Sequence, residues 1–116
     1  VTAAPVPGPQ ERYPIDKVLQ GQPTYKLSQQ YEEPTAQFFS GTWEAGPCVI
    51  NVCYASGEHE FCVILEGEVR LVGNDGHCMT ARSGDAFVVP GGWQGTWECV
   101  GRVRKYYAST LLKTGA

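Results

Sequence analysis

The chain has 116 residues, 42% of them hydrophobic and 18% charged, with a formal net charge of −3 at pH 7. This length fits one domain, and the composition excludes a largely disordered chain. The acidic balance argues against nucleic-acid binding, which needs clustered Lys and Arg to neutralise phosphates. We find neither a signal-like N-terminus nor a run of the ~20 apolar residues that cross a membrane, so we expect a cytoplasmic protein.

The N-terminal segment carries little that a core could bury. Residues 1–10 contain three prolines, and residues 12–20 are compatible with either a short helical turn or a strand. We therefore predict an N-terminal arm over residues 1–23 that is partly extended or mobile. We expect this arm to pack on the outside of the domain or across a partner subunit.

The remainder, residues 24–116, is predicted to be one all-β domain. Short runs rich in β-branched and aromatic residues alternate with turn signals about every ten residues, as in a sandwich or barrel. The predicted strands are 24–30, 36–44, 47–55, 60–66, 67–73, 77–81, 86–90, 94–100 and 102–109. The turn signals between them are Gly46-Pro47, Ser56-Gly57, Glu66-Gly67, Asn74-Asp75-Gly76, Ser83-Gly84-Asp85 and Gly91-Gly92. We expect a homodimer, because pairing would cover an exposed sheet edge.

The five cysteines form no recognisable metal or redox motif. They are Cys48, Cys53, Cys62, Cys78 and Cys99, and no C-x-x-C pair occurs among them, so neither a zinc ribbon nor a thioredoxin-like site is indicated. Most of them lie in apolar runs, where we expect small buried side chains. Free cysteines in such positions favour a reducing compartment.

Alternation along two predicted strands directs a carboxylate and an amine toward the same interior. Glu60, Cys62 and Ile64 share one face of a strand that is apolar on both sides. Val103, Lys105 and Tyr107 share a face of another strand, so Lys105 points inward if Val103 does. Because a lone buried charge costs several kcal/mol, we predict an ion pair between Glu60 and Lys105.

Two segments resemble the two motifs of the cupin superfamily. Residues 60–67 (EFCVILEG) place six residues between a Glu and a Gly, and residues 84–92 (GDAFVVPGG) follow the pattern G-x5-P-x-G. A finer resemblance covers residues 38–109 and is carried by SGTWE at 40–44, GTW at 95–97 and VRKY at 103–106, among other positions. It is to small cupins related to the ureidoglycine aminohydrolase cupin domain. The resemblance implies a cupin jelly-roll β-barrel with an N-terminal extension, in a family that is often dimeric.

The chain departs from these relatives where a metal would bind. The resemblance places two histidines five and seven residues before Glu60, or four and six residues before it. Those positions hold Ala55 and Cys53, or Ser56 and Tyr54. A third histidine is expected at a position that holds Gly95. Of the four expected ligands, Glu60 alone is present.

We predict a ligand-binding pocket inside the barrel, built from aromatic side chains and the charged pair. Its predicted members are Trp43, Tyr54, Glu60, Trp97 and Lys105. Trp93 is instead expected on an exposed loop, and Asp85 is expected to cap backbone amides. Such a pocket suits a small polar ligand that bears nitrogen or a carboxylate.

Three functions remain open, and the sequence does not decide whether the protein is an enzyme. We favour small-molecule binding in the barrel without the usual cupin metal or any other cofactor. The first alternative is a metal-dependent enzyme similar to ureidoglycine aminohydrolase, acting on a C–N bond. A divalent metal such as Mn or Zn would then bind through Glu60, Glu58 and Cys53, with Tyr54 as a further ligand. The second alternative is a structural or interaction domain whose barrel is filled by its own side chains.

Overall fold

The computed structural model describes residues 1–2, 4–21 and 24–113, which form nine strands and a short 3₁₀ turn. In chain order these are β1 (Gln10–Arg12), the 3₁₀ turn (Ile15–Lys17), β2 (Val18–Gly21), β3 (Thr24–Glu32), β4 (Phe38–Ala45), β5 (Cys48–Cys53), β6 (Glu60–Gly73), β7 (Cys78–Arg82), β8 (Ala86–Val89) and β9 (Gln94–Thr110). Within the described part of the chain, no helix is long and apolar enough to span a membrane.

The two longest strands, β6 and β9, pair with each other along most of their length and connect the two curved sheets of the barrel, which are continuous with each other as one nine-stranded sheet. The first half of β6 and the second half of β9 lie beside β8 and β4, and β3 and β1 extend this sheet outward. The opposite halves lie beside β7 and β5, and β2 extends that sheet. This curled arrangement confirms the predicted all-β jelly-roll barrel.

Two predicted chain breaks are wrong, because glycine bends a continuing strand at each of them. The sequence predicts a turn at Glu66-Gly67 and separate strands at 94–100 and 102–109, but β6 and β9 run through both regions. Gly67 and Gly101 have φ of +93° and +84°, in the left-handed region that glycine enters without steric cost. The register of β6 against β9 shifts at this level, as in a β-bulge that bends a strand from one sheet into the next.

Two predicted turn features are confirmed. Asn74-Asp75-Gly76 lies in the hairpin between β6 and β7, where Asp75 Oδ1 accepts a hydrogen bond from the backbone N of His77 at 3.0 Å. Asp85 caps the turn between β7 and β8, because its Oδ2 accepts from the backbone N of Arg82 at 2.8 Å. Both carboxylates therefore stabilise turns on the surface.

The segment predicted as an N-terminal arm contributes two strands to the barrel. β1 pairs with the edge of β3, and β2 pairs with the edge of β5. Before β1, the backbone N of Val6 donates to the carbonyl of Gln29 at 3.2 Å. Residues 22–23, at the predicted boundary between arm and domain, and residues 114–116 lie outside the described residues.

Alternate residues of the central strands point inward and form the core. The core consists of Trp43, Ala45, Cys48, Ile50, Cys62, Ile64, Val69, Leu71, Ala81, Val89, Trp97, Cys99, Val103 and Tyr107. Three of the five cysteines are thus buried, as predicted for most of them, whereas Cys53 and Cys78 are exposed, and all five are free thiols. Among the described residues, Lys105 is the one buried side chain that carries a charge.

Candidate functional site

A cavity of about 460 Å³ lies inside the barrel beside Lys105. It is lined by Tyr13, Leu27, Gln29, Glu32, Phe39, Trp43, Ile50, Val52, Tyr54, Glu60, Trp97, Lys105, Tyr107 and Ser109. Leu27, Gln29 and Glu32 are exposed and mark the mouth, whereas Lys105 and Trp97 are buried and mark the floor. The volume is within the range of small-molecule sites.

Four hydrogen-bond donors converge on the Glu60 carboxylate at this floor. Its Oε1 accepts from Tyr54 Oη at 2.7 Å, from Lys105 Nζ at 3.1 Å and from Cys62 Sγ at 3.3 Å. Its Oε2 accepts from Ser109 Oγ at 3.3 Å. The Glu60 side chain is only 12% exposed, and these donors replace the water that the carboxylate loses on burial.

The Lys105 ammonium lies between two indole rings. Its Nζ is 4.2 Å from the ring centroid of Trp97 and 5.0 Å from that of Trp43, close enough for cation–π attraction. It also donates to Glu60 Oε1 and, at 3.6 Å, to Cys62 Sγ. The predicted ion pair between Glu60 and Lys105 is therefore confirmed.

Burial and pairing act in opposite directions on the two charged groups. Burial raises the pKa of Glu60, but the Lys105 charge and the hydrogen bonds from its neighbours together outweigh burial, so this pKa lies below its usual value of 4.5. Burial lowers the pKa of Lys105, but its interactions with Glu60 and Cys62 together raise this pKa above 10.5. Burial raises the pKa of the Cys62 thiol to about 12. At neutral pH the pair is ionised and the thiol keeps its proton.

All five residues of the predicted pocket line this one cavity: Trp43, Tyr54, Glu60, Trp97 and Lys105. The prediction that Trp93 is exposed on a loop is wrong about its exposure. Trp93 does follow the Gly91-Gly92 turn, but its side chain is half-buried and packs edge-on against Tyr54, with ring centroids 6.5 Å apart. The absence of a side chain at Gly95 explains this position, because a Cβ there would lie 2.7 Å from the Trp93 ring.

The inward direction of two further polar residues of the cavity, Tyr107 and Ser109, is predictable from the two-residue alternation along β9. Tyr107 and Ser109 lie two and four residues beyond Lys105 on β9, and their side chains point to the same side of the strand. The alternation that directs Lys105 inward therefore also directs them into the cavity, although the predicted pocket omits both.

No pattern among neighbouring residues in the sequence predicts that Tyr13 lies in the cavity. Its hydroxyl accepts a hydrogen bond from Trp43 Nε1 at 3.0 Å, and its ring stacks on Tyr25 with centroids 4.3 Å apart. Burial raises the pKa of its phenol well above the usual range. Tyr13 reaches this position because β1 and β2, which flank it in the chain, pair with different sheets.

The residues present do not fit the divalent metal that histidine-bearing cupins hold. In the described part of the chain, no three His, Cys, Asp or Glu side chains converge. Of the alternative ligand set, Cys53 is exposed and Glu58 Oε1 accepts from the backbone N of Ala55 at 3.0 Å, so Glu60 alone faces the cavity. The Lys105 ammonium, which has no lone pair to offer a metal, lies directly against Glu60.

The position expected to hold the third histidine has no room for a side chain. A Cβ at Gly95 would lie 2.2 Å from the carbonyl oxygen of Val72. His59 is exposed, and its Nδ1 accepts a hydrogen bond from the backbone N of Gly91 at 2.9 Å. His59 therefore fixes a surface loop and does not take the place of the missing ligands.

Comparison with family models gives a match between residues 32–107 and the EutQ-like cupin domain. This region contains the whole predicted pocket, whereas the cavity residues Tyr13, Leu27, Gln29 and Ser109 lie outside it. A search of curated proteins found no match.

Solved structures give the same fold. A protein of unknown function from Pseudomonas syringae is 25% identical with a TM-score of 0.77, over 93% of this chain and 45% of that protein's chain. A putative ethanolamine utilization protein Q from Salmonella typhimurium is 19% identical with a TM-score of 0.67, over 85% and 77%. A predicted oxalate decarboxylase from Thermotoga maritima is 16% identical with a TM-score of 0.69, over 97% and 99%. The chain thus spans less than half of the Pseudomonas protein, and the last two similarities support the fold alone.

Proposed function

Because the chain belongs to the family of EutQ-like cupin domains, we propose that it is a cupin that binds a small molecule in its barrel, with a lysine–glutamate pair at the place of the metal. The observation that carries this proposal is the cavity of about 460 Å³ above a charged and hydrogen-bonded floor. Pockets with mostly apolar walls and a few convergent polar groups are typical of small-molecule sites.

The cavity weighs against a purely structural domain with a filled barrel. It is a concave site that opens to solvent past Leu27, Gln29 and Glu32. Aromatic rings and the Glu60–Lys105 ion pair line its inner part. A deep pocket with mostly apolar walls and a few convergent polar groups favours a ligand-binding role over a barrel filled by its own side chains.

A metal-dependent enzyme similar to ureidoglycine aminohydrolase has less support. It would need at least three ligands around one ion, and among the described residues Glu60 is the one carboxylate at the floor. Lys105 already neutralises this carboxylate. The donor set therefore favours binding by hydrogen bonds and aromatic contacts.

The test of the proposal is the binding of 2-phenylethanol, a neutral probe small enough for the cavity. Isothermal titration calorimetry should give saturable binding with a dissociation constant of about 1 mM or tighter, given nine non-hydrogen atoms. The fluorescence of Trp43 and Trp97 should change in parallel, because both rings line the cavity. Small molecules released when natively purified protein is denatured should be sought by mass spectrometry.

Two variants locate the binding. Val52→Trp fills the cavity from β5, and Leu27→Trp blocks its exposed mouth, so both should abolish binding of the probe. Asn51→Trp adds the same ring at the exposed neighbouring position on β5 and should leave binding unchanged. Equal binding by all three variants would place the probe outside the cavity and contradict the proposal.

A further inference from the structure

The hydrogen bonds at the floor are unevenly distributed over the Glu60 carboxylate. Oε1 accepts three hydrogen bonds, whereas Oε2 accepts one, from Ser109, among the described residues. An ionised carboxylate offers about two acceptor sites on each oxygen. Since Glu60 lines the cavity, Oε2 can accept a hydrogen bond from a ligand.

Lys105 is less able than Glu60 to form a further hydrogen bond, in this case to an anionic ligand. Its three N–H bonds are directed among Glu60 Oε1, Cys62 Sγ and the faces of the two tryptophans. The residue is only 5% exposed. An anionic ligand would have to displace one of these contacts and approach a carboxylate at the same time, which costs electrostatic energy.

The charges around the cavity also favour a positive ligand. Among the described residues, two carboxylates line it, Glu60 at the floor and Glu32 at the mouth, against one ammonium, that of Lys105. Six aromatic rings complete the wall: Tyr13, Phe39, Trp43, Tyr54, Trp97 and Tyr107. Aromatic faces attract ligand cations, and a carboxylate accepts charge-assisted hydrogen bonds from an ammonium group.

We infer that the cavity selects an organic cation, a primary ammonium group on a small apolar body. The ammonium donates to Glu60 Oε2 beside Ser109, and the apolar body packs on the aliphatic side chains of the wall, Leu27, Ile50 and Val52. This inference rests on the proposed function, because it names the ligand class of the same cavity. Glu32 at the mouth attracts the cation before it enters.

Three matched probes test the sign of the charge. They are 2-phenylethylammonium, 2-phenylethanol and 3-phenylpropanoate, which share a phenylethyl body and differ in the head group. At pH 7 and low salt, calorimetry should show the ammonium binding about tenfold more tightly than the alcohol, as a charge-assisted hydrogen bond predicts. The carboxylate should bind more weakly than the alcohol.

Variants of Glu32 and Glu60 test whether these two carboxylates cause the preference for the ammonium probe over the alcohol. Glu32→Gln should reduce the ratio of ammonium to alcohol affinity about twofold to threefold, a typical exposed-charge effect, whereas Glu66→Gln, an exposed residue away from the cavity, should leave it unchanged. The double variant Glu60→Gln/Lys105→Met removes both buried charges together and should lower the ratio further, to within about threefold of unity.

The outcomes separate this inference from the proposed function. If the alcohol binds in the cavity but the ammonium binds no more tightly, or the carboxylate binds best, the cation inference is overturned while small-molecule binding stands. If none of the three probes binds, both are overturned.

Discussion

Strand β9 carries two ion pairs on adjacent residues that face opposite sides of the barrel. Lys105 points inward and pairs with Glu60 at 3.1 Å, with side chains 7% and 12% exposed. Arg104 points outward and pairs with Glu44 at 3.5 Å, with side chains 44% and 26% exposed. Each pair joins a basic side chain to a glutamate, and the two differ most in burial.

The two pairs differ in how far each charged group depends on its partner for stabilisation. On the outside, water can solvate either member if the other is lost, and Glu44 also keeps a second partner in Arg102 at 3.2 Å. Inside, Lys105 and Glu60 depend on each other and on a few fixed donors and rings. The inner pair is therefore tightly constrained in geometry, whereas the outer pair is replaceable.

The largest effect is expected for Lys105→Met. It leaves the Glu60 carboxylate buried beside the cavity without its counter-charge, which should lower the free energy of unfolding by about 3–5 kcal/mol. Urea denaturation at pH 7, followed by tryptophan fluorescence, measures the change.

The double variant Glu60→Gln/Lys105→Met is the control for this loss. Removing both charges leaves no uncompensated ion, so its stability should return to within about 1 kcal/mol of the wild type. A Lys105→Met protein as stable as the wild type would mean that Glu60 does not need this counter-charge, and the contrast between the two pairs would fail.

The next largest effect is expected for Tyr54→Phe. Its hydroxyl makes the shortest hydrogen bond to Glu60, at 2.7 Å, and losing a bond to a charged acceptor should cost about 2 kcal/mol. Tyr106→Phe is the matched control, because Tyr106 is exposed on β9 and its hydroxyl should matter by less than about 0.5 kcal/mol. Equal losses in the free energy of unfolding for Tyr54→Phe and Tyr106→Phe would show that the hydrogen bond from Tyr54 to Glu60 adds no particular stability.

The inward direction of the buried pair could be predicted because it depends on a period of two residues along single strands. Cys62 and Ile64 are apolar and fix the face of Glu60, and Val103 fixes the face of Lys105. The same rule extends to Tyr107 and needs no knowledge of the fold. The two cupin-like motifs then predict that these strands belong to one barrel.

The position of Tyr13 and the bulge at Gly67 could not be predicted from the sequence. The first depends on pairing between strands far apart in the chain, and the second on a glycine that fits either a turn or a bulge. Tyr13 enters the cavity through the pairing of β1 and β2 with strands far away in the chain. Gly67 has the φ that a turn would require, yet here it forms a bulge in a continuing strand. A glycine after a short apolar run predicts both structures equally well.

The stability contributed by the buried pair should depend on pH in the acid range. The pKa of Glu60 is lowered in the folded protein, so its stabilising contribution is full above the unfolded value near 4.5 and is lost as pH falls through the folded value. Tyr54, Cys62 and Tyr107, which lie near Glu60, do not titrate in this range. Wild-type stability minus that of Glu60→Gln/Lys105→Met should therefore be constant from about pH 6 to 8 and fall below about pH 4. A difference that stays constant down to pH 2 would contradict this linkage.

The smallest effect is expected for the outer pair. Arg104→Met removes one of the two arginines that contact Glu44, and Glu44 remains accessible to water. The loss should be below about 0.5 kcal/mol at low salt and should vanish near 0.5 M NaCl, where the Debye length is about 4 Å. Lys105→Met should keep most of its loss at the same salt concentration, because Lys105 and Glu60 are in direct contact and largely buried, where salt screens an ion pair much less. A salt-sensitive loss at Lys105, or a large and salt-resistant loss at Arg104, would show that burial does not separate the two pairs.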